Sequence, residues 1–124
     1  MLHKIKILIV SNFILEYEKI KEILNPLNCF SLDYTNKLKF NGANYDFIIL
    51  DLDSIGEYKV KGVLDEFIKN NYKSKTILIS SIEKSTLITS AEKLDNITIL
   101  PKSTLKDNLI DSIYELIIQD IEFI

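Results

Sequence analysis

Phe47-Ile48-Ile49-Leu50-Asp51-Leu52-Asp53 decides the fold of this chain. From Tyr45 to Leu50 the residues are nearly all large and apolar, with no polar alternation. A short run of that kind is a strand covered on both faces, and parallel sheets are built from such strands. The run ends abruptly in carboxylates. Working outward, the same grammar repeats. Ile5 to Val10 (I-K-I-L-I-V) ends in Ser11-Asn12, Thr76 to Ile79 ends in Ser80-Ser81, and Ile97 to Leu100 ends in Pro101-Lys102. Cys29 to Tyr34 is a short second strand.

Helical spacing fills most of the gaps. Phe13, Tyr17, Ile20 and Leu24 recur at i, i+4, i+7 and i+11, after a cap supplied by Ser11 or Asn12 and before Pro26. Tyr58 to Asn70 carries Val60, Val63, Leu64, Phe67 and Ile68 on an amphipathic helix closed by Asn70-Asn71. Ser85 to Leu94 is a weaker helix, and Asn36 to Phe40 one helical turn closed by Asn41-Gly42. Thr104-Leu105-Lys106-Asp107 resembles a capping box with Asp in place of Glu, opening a last helix from about Leu105 toward the C-terminus. Strands alternating with helices predict a parallel sheet with helices on both faces, and chemistry beyond the carboxyl ends of its strands.

Composition narrows the function. The 124 residues suit one domain, 1–124, and no composition break marks a linker. All 15 basic residues are lysine, against 18 acids, for a net charge of −3. Without the planar fork of arginine, an acidic domain is poorly equipped for direct nucleic-acid readout or for clamping phosphate. A single cysteine, Cys29, excludes an intramolecular disulfide and reads as a small core residue. The single histidine, His3, excludes His-rich metal sites, and a His3–Cys29 dyad lacks a third orienting group. No stretch is long enough for a signal peptide core or a membrane span. The expectation is a reduced, cytoplasmic domain. Gly56 and Gly62 form no phosphate-binding loop.

The strand ends gather a carboxylate at Asp51, a hydroxyl at Ser80 and an ammonium at Lys102. A carboxylate can attack phosphorus, a hydroxyl can bond a phosphoryl oxygen, and a lysine is a point charge that neutralises one. In this arrangement the chain resembles the receiver domain of bacterial response regulators, over Ile5 to about Ile121. F-I-I-L-D-L-D is similar to the phospho-acceptor strand with Asp51 as acceptor. I-L-I-S-S is similar to the fourth strand with Ser80 at the phosphoryl-contacting position, and I-L-P-K to the fifth with Lys102. The resemblance implies a flavodoxin-like (βα)5 three-layer sandwich, with a five-stranded parallel sheet in the order 2-1-3-4-5.

The departures bear on activity. Where receivers carry an acidic pair after the first strand to bind Mg²⁺, this chain has Ser11 and Asn12. Asp51, Asn12 and the Asp53 backbone carbonyl remain as ligands, so the resemblance implies weak Mg²⁺ binding at best and no required cofactor. The aromatic residue expected three before the lysine is Ile99, and the proline expected after it is Ser103. Lys102 is expected to rest as an ion pair on Asp51. The reading is a degenerate receiver that acts through protein–protein contact rather than as an enzyme. The alternative is a working phospho-acceptor, modified on Asp51 by a histidine kinase.

The last helix also stands out. From Asp107 to Ile124 there are five acids and no lysine. Leu109, Ile113, Leu116 and Ile117 form a core stripe, with Tyr114, Ile118 and Ile121 on its flank. That flank is either part of a broad buried face or a strip for a partner. The expected partners are a kinase, an output domain or another signalling protein, or a second copy in a homodimer through this helix. The apolar end, I-E-F-I, suits either a cut before an output domain or a helix end covered in a dimer.

Overall fold

The computed structural model describes residues 4–70, 75–81 and 97–122, with side chains of the last helix described as far as Ile118. Strands β1 (Ile5–Val10), β2 (Phe30–Thr35), β3 (Phe47–Asp51), β4 (Lys75–Ser80) and β5 (Ile97–Pro101) form one parallel sheet in the order β2-β1-β3-β4-β5. The described helices are α1 (Ile14–Leu24), a short α2 (Leu52–Ile55), α3 (Glu57–Lys69) and α4 (Leu105–Glu122). This is the flavodoxin-like receiver architecture expected from the sequence. The helix expected over Ser85–Leu94, and His3, lie outside the described residues.

Alternation along the central strands divides the core. Ile7, Ile9, Ile49, Ile77 and Ile79 point to one face, where Ile20 and Leu24 of α1 and Leu109, Ile113 and Leu116 of α4 cover them. Leu8, Val10, Ile48, Leu50 and Leu78 point to the other, against Leu52, Ile55, Val60, Val63 and Leu64. Each such fully buried side chain contributes roughly 1.5–3 kcal/mol of transfer free energy. All five residues of β3 are buried, so this strand is the spine its sequence announced.

The ends of elements differ from the reading in places. Phe13, expected on the core face, takes the N-cap position of α1 and is 56% exposed, with no side-chain cap. Ser11 and Asn12 do not cap the helix because their side chains are committed elsewhere. Ile68, at 60% exposed, also stays outside the core. Cys29 precedes β2, half-buried against the core, and its carbonyl accepts the Ile5 N–H at 2.9 Å. Thr104 donates its hydroxyl to the Pro101 carbonyl at 3.3 Å, within a 3-10 turn over Lys102–Thr104, instead of opening a capping box.

The connection from β2 to β3 is the main local surprise. It contains no α-helix, and its single 3-10 turn lies at Gly42–Asn44 rather than at Asn36–Phe40. Asn41 fixes that turn, its side-chain oxygen accepting the Ala43 N–H at 3.1 Å. Leu38, Phe40 and Tyr45 turn inward and cover part of the sheet, where a crossover helix is the usual solution. Keeping those side chains inward holds the backbone irregular.

Candidate functional site

Asp51 closes β3 and is fully buried, the only buried charged side chain among the described residues. A lone buried carboxylate is costly unless its charge is paired and its oxygens are bonded. Here each oxygen has its own partner. Ser11, at the end of β1, donates its hydroxyl to Oδ2 at 2.7 Å. The Lys102 ammonium, beyond β5, lies 2.7 Å from Oδ1. Among the described residues this ion pair is the only contact of Oδ1.

Lys102 holds more than Asp51. Its Nζ is 3.1 Å from Asp53 Oδ2 and 3.5 Å from Glu16 Oε1. Three carboxylates from two elements and a strand end thus converge on one ammonium, whose side chain is 16% exposed. Lys19 brings a second cation to Glu16 at 3.7 Å, from the solvent side. Burial works against the charged form of Lys102. Its contacts with Asp51 and Asp53, and the fields of Asp51 and Glu16, outweigh that and raise its pKa above the usual lysine value. Burial likewise works against ionised Asp53, but Ser81 and Lys102 prevail and hold its carboxyl below the usual range. The Ser81 N–H lies 3.2 and 3.1 Å from the two Asp53 oxygens, and Ser80 donates its hydroxyl to Oδ1 at 3.3 Å.

A second set of bonds ties the first strand end to the third. The Asn12 N–H donates to Ser54 Oγ at 3.0 Å, and Asn12 Nδ2 donates to the Ser54 carbonyl at 2.8 Å. The Ser11 and Ser54 hydroxyls are 3.2 Å apart. Ser11 Oγ also accepts the Phe13 N–H at 3.0 Å, and the Tyr34 hydroxyl donates to the Ser11 carbonyl at 2.8 Å. Beside this pocket a cleft of about 640 Å³ runs between α1 and the start of α4, lined by Glu16, Lys19, Ile23, Lys102, Lys106 and Ile110.

Asp51, Ser80 and Lys102 are therefore brought to one end of the sheet, with Asp53 and Asn12 beside them. Glu16, Ser54 and Tyr34 complete the pocket and were not singled out in the sequence. An acid in the first turn of a helix usually signifies only the helix dipole, which hides a role like that of Glu16. Ser54, directly after D-L-D, was the more legible clue. On α4, Tyr114 is 40% and Ile118 52% exposed, so the flank is open rather than core, while the Ile121 side chain lies outside the described residues. Among the described residues no helix is long and apolar enough to cross a membrane.

No protein-family model matches the chain, and no curated protein matches it. Solved structures do. The signal receiver domain of a repressor protein from Vibrio parahaemolyticus superimposes with a TM-score of 0.73 at 17% identity, covering 90% of this chain and 88% of that one. A response regulator from Thermotoga maritima gives 0.73 at 15% identity, covering 92% and 98%. A DNA-binding response regulator of the LuxR family from Staphylococcus aureus gives 0.69 at 17% identity, covering 90% and 97%. These likenesses define the fold as that of receiver domains.

The likeness to receiver domains implies a Mg²⁺ site at this end of the sheet, where this chain places the Lys102 ammonium between Asp51 and Asp53. Lys102 and Ser11 occupy the two oxygens of Asp51, and Asn12 donates its amide nitrogen, not its carbonyl oxygen, to the Ser54 carbonyl. The three carboxylates that do converge here, those of Asp51, Asp53 and Glu16, are gathered around the Lys102 ammonium, and among the described residues no group of three or more His, Cys, Asp or Glu is placed to hold a metal ion. A hard divalent cation needs several oxygens at once, and the ammonium already stands among those oxygens.

Proposed function

We propose that this is a receiver-type signalling domain that works through protein–protein contact, without Mg²⁺-dependent phosphorylation of Asp51. The observation that carries the proposal is the full commitment of the Asp51 carboxylate. Its side chain is 0% exposed, with Lys102 on one oxygen and the Ser11 hydroxyl on the other. A phosphoryl donor has to approach in line with an attacking oxygen, and catalysis of that transfer is nearly all positioning and charge neutralisation. Here the neutralising charge is spent on the resting carboxylate. Ser11 and Asn12, in place of acids, also spare the pocket further like-charge repulsion in the absence of a metal. The partner in this reading is another signalling protein, met at the exposed Tyr114–Ile118 flank of α4.

The alternative, a working phospho-acceptor, is favoured by one observation: Asp51, Ser80 and Lys102 do share one pocket. Incubation with acetyl phosphate and Mg²⁺, followed by intact mass measurement, separates the two. The proposal expects an unchanged mass. A one-phosphoryl gain that disappears in Asp51→Asn establishes the alternative.

A further inference from the structure

We propose that the groove between the 36–46 connection and α3 receives the outward face of α4 from a second copy of this chain, so that copies join head to tail. The proposal rests on the reading of α4 as an interaction surface and names what that surface meets.

The groove exists because the connection from β2 to β3 carries no α-helix. It encloses about 580 Å³, with Leu38, Phe40 and Phe67 among its lining residues and Lys39, Lys59 and the 92% exposed Tyr58 around it. The Phe40 and Phe67 rings meet edge to face at 5.8 Å, which gives the groove a rigid aromatic floor. Its lining carries two lysines against one acid, Glu66, which accepts a bond from Asn70 Nδ2 at 3.2 Å and keeps its charge, so the lysines prevail by one. The site is therefore apolar within and basic around.

The outward face of α4 is the complement. Asp107, Asp111, Tyr114, Glu115 and Ile118 fall at i, i+4, i+7, i+8 and i+11, within about 100° of one another on the helix. All five are exposed. Tyr114 and Ile118, spaced i and i+4, are the anchors that a helix offers to a groove, and Asp111 and Glu115 stand beside them for the lysines. Symmetric pairing is disfavoured for both surfaces. Two α4 faces would set acids against acids, and two grooves lysines against lysines, at a cost of several kcal/mol. Attraction arises only between unlike surfaces, and that contact is heterologous, closing into a ring or extending as a chain.

The test is molar mass by light scattering or sedimentation, on the full chain across a range of protein concentrations at low salt. Wild type is expected to gain mass with concentration, and less so as salt screens the charges. Two variants each break one surface: Lys39→Glu with Lys59→Glu, and Tyr114→Ser with Ile118→Ser. Each should weaken self-association at least about tenfold, in the range expected when anchors of this kind are lost. Mixed together, the two variants should form a one-to-one dimer that grows no further, since each retains the surface the other lacks. Lys39, Lys59 and Ile118 are exposed, so the lysine variant and Ile118→Ser alone should keep the wild-type unfolding midpoint, whereas Tyr114 also meets Cys29, so Ile118→Ser is the helix variant that separates association from folding. A wild type that stays monomeric throughout overturns the proposal, as does a mixture that fails to pair. Loss of association in the helix variant alone also overturns it, while leaving α4 as an interaction surface intact.

Discussion

The pocket at the strand ends and the groove beside α3 meet the same problem, charge next to apolar surface, in opposite ways. In the pocket the charges answer one another. Lys102 is ringed by Asp51, Asp53 and Glu16, and the second oxygen of Asp51 is taken by a serine of the same chain. In the groove Phe40 and Phe67 are half-buried, and Lys39 and Lys59 are exposed around them. The contrast teaches where this domain has turned its chemistry inward and where it faces outward. The strand-end pocket binds its charges to one another, while the β2–β3 connection, which carries no α-helix, leaves a groove at the surface.

Breaking the pocket should therefore cost stability. Lys102→Met leaves Asp51 buried and uncompensated, and the expected loss is about 3 kcal/mol or more in urea unfolding at constant m-value. Adding Asp51→Asn should return most of it. If the double variant is no more stable than the single one, Lys102 is not there for Asp51. Ser11→Ala removes a hydrogen bond to a buried charge, with an expected cost of about 2 kcal/mol in the same measurement.

The pH profile should show the pocket from both sides. Asp53 has a folded pKa below its unfolded one, so its contribution is present above the ordinary aspartate pKa and is lost as pH falls through the depressed value. Lys102 is raised, so its contribution is complete below the ordinary lysine pKa and is lost as pH climbs through the higher folded value. Asp53→Asn should flatten the acid limb of a stability–pH curve and leave the neutral plateau lower. Glu16→Gln should cost less than about 1 kcal/mol, because the ammonium keeps its two nearer carboxylates. The smallest effect belongs to the groove. Lys39→Glu with Lys59→Glu should change unfolding free energy by no more than ~0.5 kcal/mol, since exposed lysines sit in high dielectric. A groove variant that destabilises the fold as strongly as Lys102→Met would erase the distinction between the two regions.

The strands and the order of the sheet were legible because buried parallel strands leave continuous apolar runs, as in Ile5–Val10 and Phe47–Leu50. Asp51, Ser80 and Lys102 were legible for the same reason, each being the first polar residue, or nearly so, beyond such a run. Ser11 was located but given a different task. Serine after a strand is ordinarily a helix cap, and its bond to Asp51 depends on a strand forty residues away. Glu16 was hidden because a side chain that reaches back from a helix leaves no periodicity of its own. The α2–α3 junction was not read from the sequence, where the helix was expected to begin at Tyr58. Gly56 stands between the two helices at φ +93°, a backbone conformation that favours glycine. The β2–β3 connection was misjudged because the local preference of Asn36–Phe40 yields to the burial of Leu38 and Phe40.

Tyr34 has a practical consequence. Its hydroxyl is bonded to the Ser11 carbonyl, and its ring lies against Tyr17 with centroids 5.1 Å apart. The chain contains no tryptophan, so tyrosine emission is the protein's own fluorescence and nothing brighter masks it. Two of its six tyrosines therefore sit where they report optically on the strand-end pocket, and a disturbance of Ser11 can be followed in the unlabelled protein.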